Sequence, residues 1–290
     1  MEYLLHILIL IGIYIILSVS LNLIVGYAGL LSIAHAAFYG VGAYVAALLA
    51  LKLHSPFLAN IFCVVFLTGL LGVLVAVSSL RIRDDYFAIA TFAFQVITFS
   101  IMNNWVSFSG GPMGLPGIAT PAILGWQIDS NVDFLFLVSL LCILIVWFSF
   151  RIGHSPFGRV LKSIREDEIF TQTVGKNIAF FKVSIFVIGA SMASVAGAIY
   201  SYYISFIDPS SFTVMESIFI LSIVIIGGAG NIWGSILGAA FLVILPEALR
   251  FLGMPSAIAP NVRQIIYGAL LVLCMLYRPQ GFLGEYSFDK

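Results

Sequence analysis

Residues 4–29 read LLHILILIGIYIILSVSLNLIVGYAG, twenty-six positions without a single Asp, Glu, Lys or Arg. A helix that crosses the hydrocarbon core of a bilayer needs about 20 apolar residues, so roughly 4–25 of this run is read as a membrane span. It is expected to stay in the mature chain. A cleaved leader would carry a positive start and a shorter apolar run, whereas Met1–Tyr3 holds Glu2 and no base. Its last four residues, Gly26-Tyr27-Ala28-Gly29, interrupt the helix pattern and are returned to below.

The rest of the chain follows the first span. Further apolar runs lie at roughly 57–79, 86–102, 132–150, 183–204 and 263–278, and two stretches at 30–51 and 216–250 are apolar but punctuated by glycine. Hydrophobic residues make up 61% of the 290 and charged ones 9%, against about 25% charged in a soluble domain. The mean hydropathy of +1.12 points the same way. The fold expected is an all-α, polytopic transmembrane helical bundle of about eight or nine membrane segments. It forms a single domain over 1–290. Thirteen bases balance thirteen acids, so no basic field exists to attract nucleic acid. Cys63, Cys142 and Cys274 each sit in an apolar run and read as packing residues, with no metal site or disulfide expected.

Short loops that carry Lys and Arg face the cytoplasm. The segment 151–182 holds Arg151, Arg159, Lys162, Arg165, Lys176 and Lys182, and the turn 81–85 holds Arg81 and Arg83. The long loop 103–132 holds neither base and is placed outside. Helix parity then puts the N-terminus outside and the C-terminus inside, with Arg250 and Arg263 as exceptions. Within the outer loop, Gly110-Gly111-Pro112-Met113-Gly114-Leu115-Pro116-Gly117 predicts a turn-rich, non-helical structure, either a folded surface loop or a docking lip.

Gly26-Tyr27-Ala28-Gly29 has an echo in Gly227-Gly228-Ala229-Gly230. Each follows an apolar helix and precedes a helix of small residues, the first with Ser32 and His35, the second with Ser235 and Gly238. Paired, glycine-interrupted segments in corresponding halves point to a transport pathway between weak internal repeats. Close helix packing is the competing explanation for such glycines. Asn22, His35, Gln95 and Glu216 are polar groups set in or beside apolar sequence, where cost alone places them in the bundle interior. Candidate pathway residues are therefore Asn22, Gly26, Gly29, Ser32, His35, Gln95, Gly227, Gly228 and Gly230, with an interhelical hydrogen bond as the plainer role for His35. Four scattered polar groups do not make a proton relay. No paired carboxylates, zinc-ligand spacing or nucleophile elbow appear, so no catalytic residue is assigned.

The basic segment is the one substantial polar stretch. Ser155-Pro156-Phe157-Gly158-Arg159 reads as a turn into a helix over Val160–Thr173, ended by Gly175. Val160, Leu161, Ile164, Ile169 and Val174 form its apolar stripe, beside Lys162, Arg165, Glu166, Asp167 and Glu168. The acids suit a protein groove better than anionic lipid. No phosphate-binding glycine loop is present, so any driving nucleotide would bind to another subunit.

Five stretches together resemble the LivH/LivM family, the permease subunits of bacterial branched-chain amino acid ABC transporters, and LivM more narrowly. They are Asn22–Tyr44, Asp85–Phe94, Gly110–Gly117, Ser155–Val174 and Ile226–Gly238. Arg83-Asp84-Asp85-Tyr86 is a departure, being less basic than the family's pattern there, and some relatives carry extra leading helices. The resemblance implies an inner-membrane permease that imports branched-chain or related amino acids, with urea or small amides as an alternative substrate class. It implies a second related permease, two ATP-binding subunits and an extracytoplasmic substrate-binding protein as partners, with ATP bound in those partners and no cofactor in this chain. Gly158, Arg159, Arg165, Glu166, Asp167, Glu168 and Gly175 would then belong to the loop that contacts the ATPase. A stand-alone secondary carrier or channel would fit the internal echo equally well.

Overall fold

The structure is a computed structural model that describes residues 2–79, 84–123, 126–250, 259–278 and 280–284. In chain order its helices are α1 (Glu2–Asn22), continued by a π-helical turn (Leu23–Tyr27), α2 (His35–Leu53), α3 (Phe57–Ser79), α4 (Asp84–Asn104) and the short α5 (Val106–Ser109). There follow α6 (Asn131–His154), α7 (Pro156–Glu166), α8 (Glu168–Thr173), α9 (Ile178–Ile204), α10 (Val214–Gly227), α11 (Ile232–Arg250) and α12 (Ala259–Tyr277). Among the described residues six helices are long and apolar enough to cross a membrane, and three shorter apolar ones lie within α10, α11 and α12. The protein is a polytopic helical membrane protein. The turn at Arg81 and Arg83 lies outside the described residues.

Two ends can be told apart by what they carry. At one, α1 begins beside the start of α6, where the Asn131 amide donates to Glu2, and beside the end of α11, where the Tyr3 hydroxyl donates to Glu247. His6 Nδ1 meets the Tyr203 hydroxyl of α9 there at 2.6 Å. The described parts of the loop, 105–123 and 126–130, lie at this end. In it, β1 (Leu115–Pro116) pairs antiparallel with β4 (Phe206–Ile207), and β2 (Ala122–Ile123) with β3 (Trp126–Gln127). The expected non-helical character of Gly110–Gly117 holds, apart from a 3-10 turn at Gly111–Met113. At Gly114, φ is +70°, and a Cβ would stand 2.2 Å from the Ile207 carbonyl oxygen, so only glycine fits. The opposite, basic end carries α7 and α8.

In the core α9 is crossed by both α2 and α3. A Cβ placed on Gly197 would lie 2.0 Å from the Tyr39 carbonyl oxygen, and one on Gly42 would lie 2.3 Å from that of Ser194. The backbones of α2 and α9 therefore touch, the arrangement by which small residues hold membrane helices together. Outward faces are as apolar as the interior: Phe62, Phe66, Leu70 and Leu74 of α3 and Leu140, Ile143 and Trp147 of α6 are all exposed. Such a surface is stable only against lipid.

Just before the glycine-punctuated stretch 30–51, Gly29 takes φ +73°, and within it α2 starts at His35. One expectation needs correction. The single helix over Val160–Thr173 is two helices. Asp167 is extended (φ −154°, ψ 108°), and its carboxylate accepts from the Phe170 N–H at 2.9 Å, starting α8 instead of continuing α7. The apolar stripe splits with it, so that Leu161 and Ile164 are buried while Ile169 and Val174 are exposed. Gly175, at φ +81°, ends α8 as its sequence suggested.

Replacing Gly197 with valine forces the α2–α9 crossing apart at a cost of about 1–3 kcal/mol, despite valine's better helix propensity. Gly197→Val is expected to lower the Tm of the detergent-solubilised protein by several degrees. Gly268→Val in α12, where an added Cβ meets nothing within 4 Å, should leave it unchanged. Equal shifts in the two variants would refute the crossing.

Candidate functional site

The two glycine breaks lie against each other at the basic end. Asn22, fully buried at the last turn of α1, joins them. Its Oδ1 accepts from the Gly230 N–H at 2.8 Å, while its Nδ2 donates to the Asn231 carbonyl and to Ser235 Oγ, both at 2.8 Å. A Cβ on Gly26 would stand 2.2 Å from Gly230 N, so the first break touches the second backbone to backbone. The echo seen in the sequence extends to conformation. Gly26 lies in the π-helical turn that ends at Tyr27 and Gly227 ends α10, whereas Gly29 (φ +73°) and Gly230 (φ +85°) take the left-handed turn that lets the chain leave the helix. Gly228 (φ +115°) is pressed against Gly284, where Phe282 and Leu283 donate their N–H groups to the Ile226 and Gly227 carbonyls at 2.9 and 3.1 Å. The Ile226 and Gly227 carbonyls, left without helical donors at the end of α10, are thereby satisfied.

A second polar group gathers where α2 and α10 begin. His35 is fully buried, and its Nε2 lies 2.8 Å from Ser20 Oγ of α1. Ser20 Oγ also lies 2.8 Å from the Leu17 carbonyl, so a Ser20 hydroxyl that donates there can accept from an Nε2–H of the imidazole. The Ala36 N–H donates to Ser217 Oγ at 2.9 Å, Ser217 donates to Gln95 Oε1 at 3.2 Å, and Gln95 Nε2 donates to the Phe212 carbonyl at 2.8 Å. Ser32 Oγ accepts from the Ala34 N–H at 3.4 Å. Glu216 accepts from the Tyr14 hydroxyl at 2.7 Å. His35, Gln95 and Glu216 thus each tie two elements together at the starts of α2 and α10, apart from the Asn22 junction. Ser20, Tyr14 and Ser217 escaped the sequence reading. Serines are common in membrane helices and nothing local distinguishes these, although Ser217 adjoins the flagged Glu216.

The basic loop reaches into the first junction. Ser155 caps α7, its hydroxyl accepting from the Gly158 N–H at 3.2 Å, and Pro156 sets the first turn. A Cβ on Gly158 would stand 2.4 Å from the Ile152 carbonyl oxygen, so glycine allows α7 to fold straight back on α6. The loop residues, adjacent in sequence, then separate. Arg159, Glu166 and Asp167 are exposed. The Arg165 side chain is only 10% exposed and points inward, Nη1 donating to the Gly26 carbonyl and Nη2 to Glu166 Oε1 at 3.2 Å. Lys162 places its ammonium 5.3 Å over the Tyr27 ring, and Glu168 pairs with Lys182 at the start of α9. The inward turn of Arg165 had no signal in sequence, where it looks like any base of an amphipathic helix.

A family model described as the permease component of branched-chain amino acid transport systems matches residues 3–275. The chain belongs to this family. Among its relatives, the high-affinity branched-chain amino acid transport permease LivM of Salmonella typhimurium is 34% identical over 93% of this chain and 68% of the relative. The probable LivM of Methanocaldococcus jannaschii is 27% identical over 94% and 91% respectively. The LivH permease of Salmonella typhimurium is 24% identical over 96% of this chain and 93% of its own. No solved structure matches. The chain is a LivM-type membrane permease, one component of a transport system, and in this permease both glycine breaks and the basic loop converge on one junction.

Asn22 carries three of that junction's hydrogen bonds. Asn22→Leu strands the buried Gly230 N–H, at a cost of about 1–3 kcal/mol, and leaves the Asn231 carbonyl with the Ser235 N–H as its remaining donor. The expected result is a lower Tm and faster proteolysis between α10 and α11 in the detergent-solubilised permease. An unchanged Tm would show that Asn22 does not hold the breaks together.

Proposed function

We propose that this permease forms half of the translocation pathway of an ATP-driven importer for branched-chain amino acids. It works without catalytic chemistry of its own, in the cytoplasmic (inner) membrane of a bacterium. Its partners on this reading are a second related permease, two ATP-binding subunits and an extracytoplasmic substrate-binding protein. The carrying observation is the junction of two broken helices against the basic loop, in a chain whose relatives are named for branched-chain amino acid transport. Interrupted helices at membrane depth are where a solute path can pass between repeats, because their backbone is already held by side chains instead of by helix geometry.

Orientation follows from charge: the bases of 151–182 put α7 and α8 on the cytoplasmic side and the base-free loop 103–132 outside. On α8, Ile169 and Phe170 are 76% and 62% exposed, and the acids Glu166 and Asp167 are exposed beside them. An apolar patch rimmed by charge suits a protein partner, and the ATP-binding subunit is the one proposed. At the opposite end an open cleft of about 680 Å³ lies between the α2–α3 turn (His54–Phe57) and Ala119–Ala122, on the face where a substrate-binding protein would deliver its cargo.

Reconstitution with the ATP-binding subunits and substrate-binding protein encoded beside it should give ATP-dependent uptake of labelled leucine. Ile169→Asp combined with Phe170→Asp should cut uptake roughly tenfold or more by destroying the partner patch, the permease itself remaining folded. Gradient-driven uptake by the permease alone would replace this reading with a secondary carrier. Uptake of labelled urea in preference to leucine would change the substrate.

A further inference from the structure

Two helices deliver the same electrostatic problem to one place. α1 with its π-helical turn, and α10, both run toward the basic end and stop there, at Tyr27 and at Gly227. Each brings carbonyls without helical donors and the negative pole of a helix dipole. At the second break those carbonyls are served by backbone N–H groups of Phe282 and Leu283. At the first, the Gly26 carbonyl receives the guanidinium of Arg165.

Arg165 belongs to neither break. It is the penultimate residue of α7, and yet its side chain runs along the first break and ends beside the second. A Cβ on Gly29 would lie 2.8 Å from Arg165 Cγ, and one on Gly230 would lie 3.2 Å from Arg165 Nη1. The absent side chains of Gly29 and Gly230 are thus the channel in which the arginine lies. A guanidinium suits the position because it stays charged and presents several fixed donors along one plane. Its helix is held from both sides. Leu161 and Ile164 are buried under α7, Asp167 breaks the chain after it, and α8 is tied to α9 through Glu168 and Lys182. The extended residue at Asp167 separates α7 from α8, and the Ser163 and Thr171 hydroxyls, 2.7 Å apart, tie the two helices so that they would move together. A shift of α7 by a few ångströms takes Arg165 out of reach of Gly26, since a hydrogen bond is lost beyond about 3.5 Å.

We propose that Arg165 is the positioning residue that shuts the pathway at the basic end by bridging the two glycine breaks, and that it is withdrawn when a partner moves α7 and α8. The proposal rests on the ATP-driven reading above and names the group through which the loop acts on the broken helices.

The test uses the reconstituted transporter with Ser32→Cys as reporter, the three native cysteines being replaced by alanine. Ser32 lies three residues past Gly29 and is 1% exposed, so it should be labelled only when the junction opens. A membrane-impermeant maleimide is applied to the basic side in the nucleotide-free state and after trapping with ATP and vanadate. With Arg165 present the two states should differ in labelling rate by roughly tenfold or more, the scale of one charged hydrogen bond. Arg165→Gln should label at the faster rate in both states and hydrolyse ATP without leucine uptake, whereas Arg165→Lys should restore much of the difference. Equal rates in the two states with Arg165 present, or a difference that survives Arg165→Gln, overturns the proposal. If Arg165→Gln does not fold, the two-state comparison in the parent and in Arg165→Lys decides. Leucine uptake by the unsubstituted transporter, measured alongside, separates the two readings: no ATP-driven uptake removes the importer function, and uptake without state-dependent labelling of the reporter removes the role of Arg165 alone.

Discussion

A helix that stops inside a membrane leaves carbonyl oxygens with nothing to accept from, and the surrounding hydrocarbon supplies no water. Two helices of this permease, α1 with its π-helical turn and α10, stop at the same end and within touching distance of each other. Most of the polar architecture described above answers that constraint. Asn22 spans the gap between the breaks, the 280–284 segment donates to the end of α10, and Arg165 reaches in from the surface loop to Gly26. The rest of the bundle supports the arrangement. α9 and α2 cross through Gly197 and Gly42, which leaves α1 and α10 packed beside α11. Elsewhere the exposed faces of α3 and α6 meet lipid with ordinary apolar side chains.

The polar groups divide by task. One set, around Asn22, holds backbone against backbone and keeps two chain reversals in register. The other, from Ser20 through His35, Ser217 and Gln95, joins the starts of α2 and α10 to α1 and α4. Each works as a tie between elements, and ties of this kind are what a bundle needs if it is to move between arrangements as rigid pieces instead of melting.

Much of the fold could be read from the chain because lipid makes one demand, continuous apolar length, and composition reports it directly. The runs at 57–79 and 132–150 correspond to α3 and to the body of α6. The places where helices break were equally visible, since only glycine takes up the positive φ found at Gly29, Gly228 and Gly230 without strain. What stayed hidden was contact at a distance. That Gly26 would lie on Gly230, or that Arg165 would turn inward while Glu166 turned out, depends on how α7 docks, and no spacing along the sequence records that. Asp167 is an intermediate case. Its preference for starting a helix was present in its chemistry, but it lay within a run of good helix formers, and the periodicity of that run outweighed it.

The hydrogen bonds from Phe282 and Leu283 to Ile226 and Gly227 also bear on the order of assembly. They connect parts of the chain with α11 and α12 between them, and Asn231 is joined to Leu283 across 52 positions. During synthesis α10 and α11 enter the membrane before their carbonyl partners exist. Asn22 of α1 is already in place to hold Gly230 and Asn231, but the Ile226 and Gly227 carbonyls acquire their donors only once the chain beyond α12 has been made. The second reversal is therefore completed last, by the segment that ends the bundle.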